Sequence, residues 1–483
     1  MNVSRKTIGV LLLTAALVFV TACSSQGSGG ESAAPESTPA ATGAPAASEP
    51  PAPSSEGGGS DGGSAEQGAA EETIDMGGIT ITFADPWGRD LETLGQSDYN
   101  DRLIERVAEV EAKYNVNFEY VRGPETYWDD MTKAVAAGEP WGDIMFTFPW
   151  IAPGWIKAGV MKDVSNLGFN FDDDSVWDPL ATAEGRYGDK QFMFGHRPVE
   201  LNGGILYNKA LFDRYGVEDP QELYERGEWT FQKFEEIAKR LTDPSAGVYG
   251  FATTNSRNIF NLFELNNNAP LVNFGPSSVS SNFGDPGALA GYELVHRMLH
   301  VDKSWYSETE DYAALSQQFL EGKIAMFGAE KWVIEVVAAW AAEDFDYRWV
   351  VFPIGPNGTE HTMTAGIFLE FVPVTLDDDR ARKAIMVYDE VFKSLYPTPE
   401  DEYTAYAEAL FVDEKSVELY VDTVLGRKYT ATFIDKAGIT DVINEFYREL
   451  REGMSTPAAL VEKYRPVIQA AIQDGVYNQI VQQ

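Results

Sequence analysis

The sequence predicts an α/β protein built in two lobes. Strand-type alternation and helix-type apolar stripes follow one another in turn from residue 79 to residue 148. The roughly 405 residues after position 76 also exceed what a single hydrophobic core holds. A third observation sets the folded part apart from what precedes it: residues 24–76 are nearly all Gly, Ser, Ala, Pro and Glu, with no aromatic residue.

The first strand is predicted at residues 78–83, where Ile79, Ile81 and Phe83 alternate with Thr80 and Thr82, and Asp85-Pro86-Trp87-Gly88 stops it. Ser97 or Asp98 can cap the helix that follows. In that helix Leu103, Ile104, Val107, Val110 and Tyr114 recur at helical spacing, and Asn115 ends it. Val116, Phe118 and Tyr120 alternate as a second strand. Thr126 is the expected cap of a second helix that stops at Gly138, and residues 143–148 read as a buried third strand. Strand, helix, strand, helix, strand implies a parallel sheet with helices on its faces. Further on, Thr230 is a sound N-cap for a helix whose inner stripe is Phe231, Phe234, Ile237, Ala238 and Leu241.

At the N-terminus, Arg5 and Lys6 precede an apolar run over residues 8–20 that is too short to span a bilayer comfortably. Val20-Thr21-Ala22-Cys23 resembles the signal that bacterial lipoprotein signal peptidase cuts. The resemblance implies that residues 1–22 are a signal peptide and that Cys23 carries a lipid anchor. Cys23 is the only cysteine in 483 residues, so no disulfide forms within the chain. Residues 23–76 are then a tether with an r.m.s. span of roughly 40 Å. The expected location is the extracytoplasmic face of the cell membrane, with membrane contact through the anchor only. The formal net charge of −38 opposes phosphate backbones, so nucleic acid is not an expected partner.

Several stretches resemble the extracellular solute-binding proteins of the maltose-binding type, family 1, which serve ABC importers. These are Gly138-Glu139-Pro140-Trp141-Gly142-Asp143-Ile144, Ala158-Gly159-Val160-Met161-Lys162-Asp163-Val164, Leu206-Tyr207-Asn208-Lys209 with Gly227-Glu228-Trp229-Thr230, Gly322-Lys323-Ile324-Ala325-Met326 leading to Lys331-Trp332, and Phe352-Pro353-Ile354-Gly355-Pro356. The resemblance implies a type II periplasmic-binding-protein-like fold, in which two hinge-connected α/β lobes hold a ligand in the cleft between them. It places residues 77–195 and 350–395 in lobe one, and residues 196–349 and 396–483 in lobe two. The chain would cross near residues 193–198, return near 349–353 and cross again near 393–398. It further implies a monomer that delivers a carbohydrate or other small polar solute to ABC permease subunits in the membrane, with no cofactor and no metal.

A cleft for sugars needs flat apolar faces for ring C–H surfaces and a few fixed polar groups for hydroxyls. In parallel sheets the residues just past the C-terminal strand ends line the crevice. That rule selects Asp85, Trp87 and Arg89 after the first strand, and Thr147, Phe148 and Trp150 after the third. The family resemblance adds Asn255 and Arg257, Glu330 and Trp332, and Ala365 and Gly366. Thr147, Phe148 and Trp150 depart from the arrangement of maltose binders, which puts maltose itself in doubt.

Two other classes compete. A surface glycan-active enzyme needs only two carboxylates about 5 to 10 Å apart, but the sequence carries no Gly-x-Ser-x-Gly elbow, no His-Glu-x-x-His and no phosphate-cradling glycine loop. A sensor or adhesin could use the same binding fold. His296 and His300 stand one helical turn apart, yet two ligands do not make a zinc site. The runs Asp172–Asp174 and Asp377–Asp379 lack the alternating spacing of a calcium loop.

Overall fold

The computed structural model describes residues 74–87, 98–196, 200–254, 257–275 and 278–481. The expected signal peptide, Cys23 and residues 24–73 of the tether lie outside the described residues, as do Ser97, Arg89 and Asn255.

The first sheet has four strands in the order Leu369–Phe371, Ile144–Thr147, Ile79–Asp85, Val116–Arg122. Ile79–Asp85 runs parallel to both neighbours, and Leu369–Phe371 closes the edge antiparallel to Ile144–Thr147. Helix Asp98–Tyr114 covers the sheet with Leu103, Val107, Val110 and Tyr114. Ile104, expected in that stripe, is 37% exposed, because it sits about 100° around the helix from Leu103 and off the buried line. Helix Tyr127–Ala136 buries Tyr127, Met131 and Val135. Its expected cap, Thr126, makes no side-chain cap bond; Asp129 and Asp130 in the first turn meet the positive end of the helix dipole instead. The Tyr127 hydroxyl pins the helix to the sheet, accepting from Phe146 N at 3.0 Å and lying 2.9 Å from Phe146 O. Asp143, which opens the third strand, is held by a fork from Arg380 at 2.8 and 2.6 Å and by Thr82 N at 2.9 Å.

The second sheet has five strands in the order Trp305–Tyr306, Tyr249–Thr253, Ile324–Gly328, Ile205–Asn208, Tyr347–Val350. The first three run parallel, and Ile205–Asn208 is antiparallel to its neighbours on both sides. Its core is separate from that of the first sheet and holds Trp229, Phe234, Phe251, Phe263, Trp305 and Trp349. Thr230 caps helix Phe231–Leu241 as expected, accepting from Lys233 N at 3.3 Å.

A three-stranded sheet joins the lobes, in the order Tyr429–Thr430, Met363–Gly366, Glu200–Asn202. The chain leaves the first lobe after Phe194, which bridges Glu370, and enters the crossing strand Glu200–Asn202. It returns through Met363–Gly366 into Leu369–Phe371. The return was expected near residues 349–353, but Trp349 pairs with Leu206, and Val351, Phe352 and Met363 all pack in the second core. An apolar run such as 349–352 reads as a strand without revealing which sheet receives it. The third crossing falls between Leu395 in the first core and Tyr403 in the second. The last helix, Val476–Val481, comes back to the first lobe and buries Tyr477 there.

Candidate functional site

The loops that leave the C-terminal ends of Ile79–Asp85 and Ile144–Thr147 carry an aromatic wall on the first lobe. Trp87 meets Phe146 edge-on at 5.2 Å and Phe148 at 5.9 Å. Phe148 lies flat against Trp150, with ring centres 4.1 Å apart and planes 12° from parallel, and against Trp128 at 5.5 Å. Trp150 is 51% exposed, so one indole face is supported from behind and the ring still reaches solvent. Phe368, 41% exposed, adds to the wall through Phe146 at 6.0 Å.

Two expected wall residues have structural tasks instead. Asp85 is 5% exposed; it accepts from Trp87 N at 2.8 Å and from the Tyr120 hydroxyl, and so fixes the turn that presents Trp87. Thr147 is fully buried, because in a four-residue strand with every side chain covered it faces the sheet interior.

The second lobe contributes a polar corner. Glu330 and Trp332 follow Ile324–Gly328 at the start of helix Lys331–Trp340. Glu330 accepts from Asn258 Nδ2 at 2.6 Å and from Trp332 Nε1 at 3.0 Å. Trp332 packs edge-on against Tyr312 at 4.9 Å and is 40% exposed. Arg257, at the start of helix Arg257–Leu265, forms an ion pair with Asp435 at 3.0 Å. Ala365 and Gly366 lie on the returning hinge strand, opposite Leu201 and Glu200.

Both walls converge on the crossing strands. Lys331 N donates to Asn202 Oδ1 at 3.3 Å, while Phe368, two residues beyond Gly366, touches the first-lobe wall. A cavity of about 310 Å³ opens beside Tyr429–Thr430, with Asn261, Phe274, Thr430 and Phe433 in its walls. Asn261 stands one helical turn beyond Arg257.

Trp87, Phe148 and Trp150 thus share one wall of the first lobe, and Glu330 and Trp332 share one corner of the second. Strand-end reasoning missed Trp128, Phe368, Tyr312 and Asn258. Phe368 had a readable signal, being an aromatic residue two places after Gly366 in a crossing segment. Trp128 had none, since it sits in an ordinary helical stripe. The histidine pair is close, with ring centres 4.8 Å apart, but His300 Nε2 lies 3.2 Å from Leu450 O, and no third ligand-type side chain joins them among the described residues. Asp377 caps helix Asp378–Phe392 by accepting from Arg380 N at 2.8 Å, which accounts for one acidic run.

The two-lobed arrangement with an inter-lobe cleft is the type II periplasmic-binding-protein-like fold. The family model for bacterial extracellular solute-binding proteins matches residues 97–372, and the chain belongs to that family. Its fold is similar to that of an ABC substrate-binding protein from Listeria monocytogenes solved with cycloalternan, at 18% identity and TM-score 0.54, covering 81% of this chain and 98% of that one. The cyclic α-maltosyl-1,6-maltose-binding protein of Arthrobacter globiformis shares 13% identity at TM-score 0.61, covering 83% of this chain and 100% of that one. UgpB of Mycobacterium tuberculosis, solved with glycerophosphocholine, shares 14% identity at TM-score 0.59, covering 82% and 98%. No curated protein matches the chain.

Proposed function

We propose that this solute-binding protein captures a sugar or oligosaccharide in the cleft and delivers it to the permease of an ABC importer. The observation that carries the reading is the pair of exposed indoles, Trp150 on one lobe and Trp332 on the other, each braced by a second aromatic ring. Flat aromatic faces suit sugar C–H surfaces, and Glu330, only 8% exposed and committed to Asn258 and Trp332, holds the Trp332 ring in place. Sugar complexes among the structural neighbours support the same class of ligand. Binding favours lobe closure only if the ligand gains contacts from both lobes. No reaction is assigned to the site.

A thermal-shift panel of linear and cyclic malto-oligosaccharides, other neutral oligosaccharides and glycerophosphocholine tests the ligand class. A sugar present at about 100 times its dissociation constant stabilises by ~2.7 kcal/mol. Stabilisation by glycerophosphocholine alone would redirect the assignment to phosphodiesters.

The reading includes acylation at Cys23, motivated by Val20-Thr21-Ala22-Cys23 and by the absence of any second cysteine. Cys23→Ala is expected to release the protein from the membrane fraction while leaving ligand binding intact; unchanged partitioning would sink the anchor.

A further inference from the structure

Lys331 stands between Glu330 and Trp332, yet its own side chain turns away from solvent and is only 8% exposed. Its Nζ lies 2.7 Å from Glu200 Oε1 and 2.7 Å from Glu335 Oε1, and 4.7 Å over the Tyr406 ring. The Tyr406 hydroxyl approaches the same Glu200 oxygen at 3.3 Å, and the Lys331 backbone N–H meets Asn202 Oδ1. Glu335 belongs to the helix that Lys331 begins, whereas Glu200 and Asn202 belong to the first crossing strand. The corner that presents Trp332 is therefore fastened to the hinge by one side-chain bond and one backbone bond, both made by the same residue.

Burying an ammonium is costly, and a buried ion cluster replaced as a whole by apolar side chains of similar volume is often neutral or stabilising for the fold. Burial pulls the Lys331 ammonium down, but the two carboxylates outweigh it and keep the residue charged. Fold stability alone thus gives little reason for a charged cluster here, while a directional tie needs the charges.

We propose that Lys331 is a positioning residue for the ligand site, tying the Glu330–Trp332 corner to the strand Glu200–Asn202 so that rotation of the crossing strand carries the Trp332 face with it. The inference rests on the reading of Trp332 as a ligand-facing ring, but its test needs no ligand. The full chain is labelled with 5-fluorotryptophan, and the Trp332 resonance is assigned by its loss in Trp332→Phe. Glu200→Gln cuts the charged tie to the hinge and leaves the Lys331–Glu335 pair; Glu335→Gln does the reverse. The expected result is that Glu200→Gln shifts or broadens the Trp332 resonance while Glu335→Gln leaves it in place.

An unmoved resonance in Glu200→Gln, or equal movement in both variants, overturns the proposal, the second because it marks a purely structural cluster. If Glu200→Gln does not fold, Lys331→Met and Lys331→Arg decide the matter: Met must move the Trp332 resonance and Arg must restore it, and any other pattern overturns the tie. Failure of the sugar reading would appear separately, as no stabilisation of the wild-type chain by any sugar of the thermal-shift panel.

Discussion

The indole Nε1 of Trp332 donates to Glu330 Oε2 across 3.0 Å, and that bond holds a 40% exposed ring at a fixed angle. A ring so exposed contributes less to the core than a buried one. Trp332→Ala is expected to leave the melting temperature of the free protein within a few degrees of wild type, where a fully buried aromatic would cost ~3 to 5 kcal/mol. Differential scanning calorimetry of the unliganded variant checks this; a loss of core size would show that Trp332 is packing rather than platform.

Glu264 is fully buried in the second lobe, where the Tyr447 hydroxyl donates to it at 2.7 Å. Burial pushes its carboxyl up to about 8, well above the ordinary 4.5. The folded state thus holds a proton that the unfolded chain has already released. The stability this represents is complete below pH 4.5 and is lost as pH rises towards 8. Glu264→Gln is expected to flatten that slope and, at pH 8, to exceed wild-type stability by up to about 4 kcal/mol. Urea denaturation from pH 5 to pH 8 reads the difference directly, and parallel curves for the two proteins would refute it.

Lys436 links the two lobes. Its helix sets Ile434 and Ala437 into the second core, while its Nζ donates to Ala183 O of the first lobe. The ammonium sits 5.1 Å from the Tyr187 ring centre, 5.2 Å from Tyr477 and 5.0 Å from Phe274. Burial raises the nearby Glu184 carboxyl, Lys436 opposes that rise, and Asp435 adds to it. Burial pulls the Lys436 ammonium down to about 8, so Lys436→Met, which keeps the bulk and removes the charge, is expected to cost only about 1 kcal/mol. With the opposing cation gone, Glu184 is raised above its value of about 8, so the deficit is expected to stay level from about pH 5 to 7 and to grow as pH passes about 8. A deficit that shrinks with pH, or none at all, contradicts this account.

Much of the fold was legible because its elements repeat simple periods. Thr80 and Thr82 between Ile79, Ile81 and Phe83 mark a strand, and Leu103, Val107 and Val110 mark one helix face, whatever the tertiary context. The return crossing was not legible: Trp349, Val350, Val351 and Phe352 form an apolar run that fits either sheet, and only the pairing of Trp349 with Leu206 decides between them. Strand-end placement selected Trp87, Phe148 and Trp150, which the structure gathers into one aromatic wall, since a parallel sheet projects its loops there. It could not tell that Thr147 points inward or that Asp85 is committed to Tyr120. Tyr312 and Asn258 arrive from other helices and leave no local signature.

The central claim, that one ligand is held between the two lobes by Trp150 and Trp332, is tested most directly by calorimetric titration. The strongest-binding sugar of the panel is titrated into wild type, Trp150→Ala and Trp332→Ala. Each truncation removes a stacking face worth on the order of 1 to 3 kcal/mol, so each variant should bind the same sugar roughly ten- to a hundredfold more weakly. Wild-type affinity in either variant would contradict the account, because a ligand indifferent to one of the two indoles is not held between them.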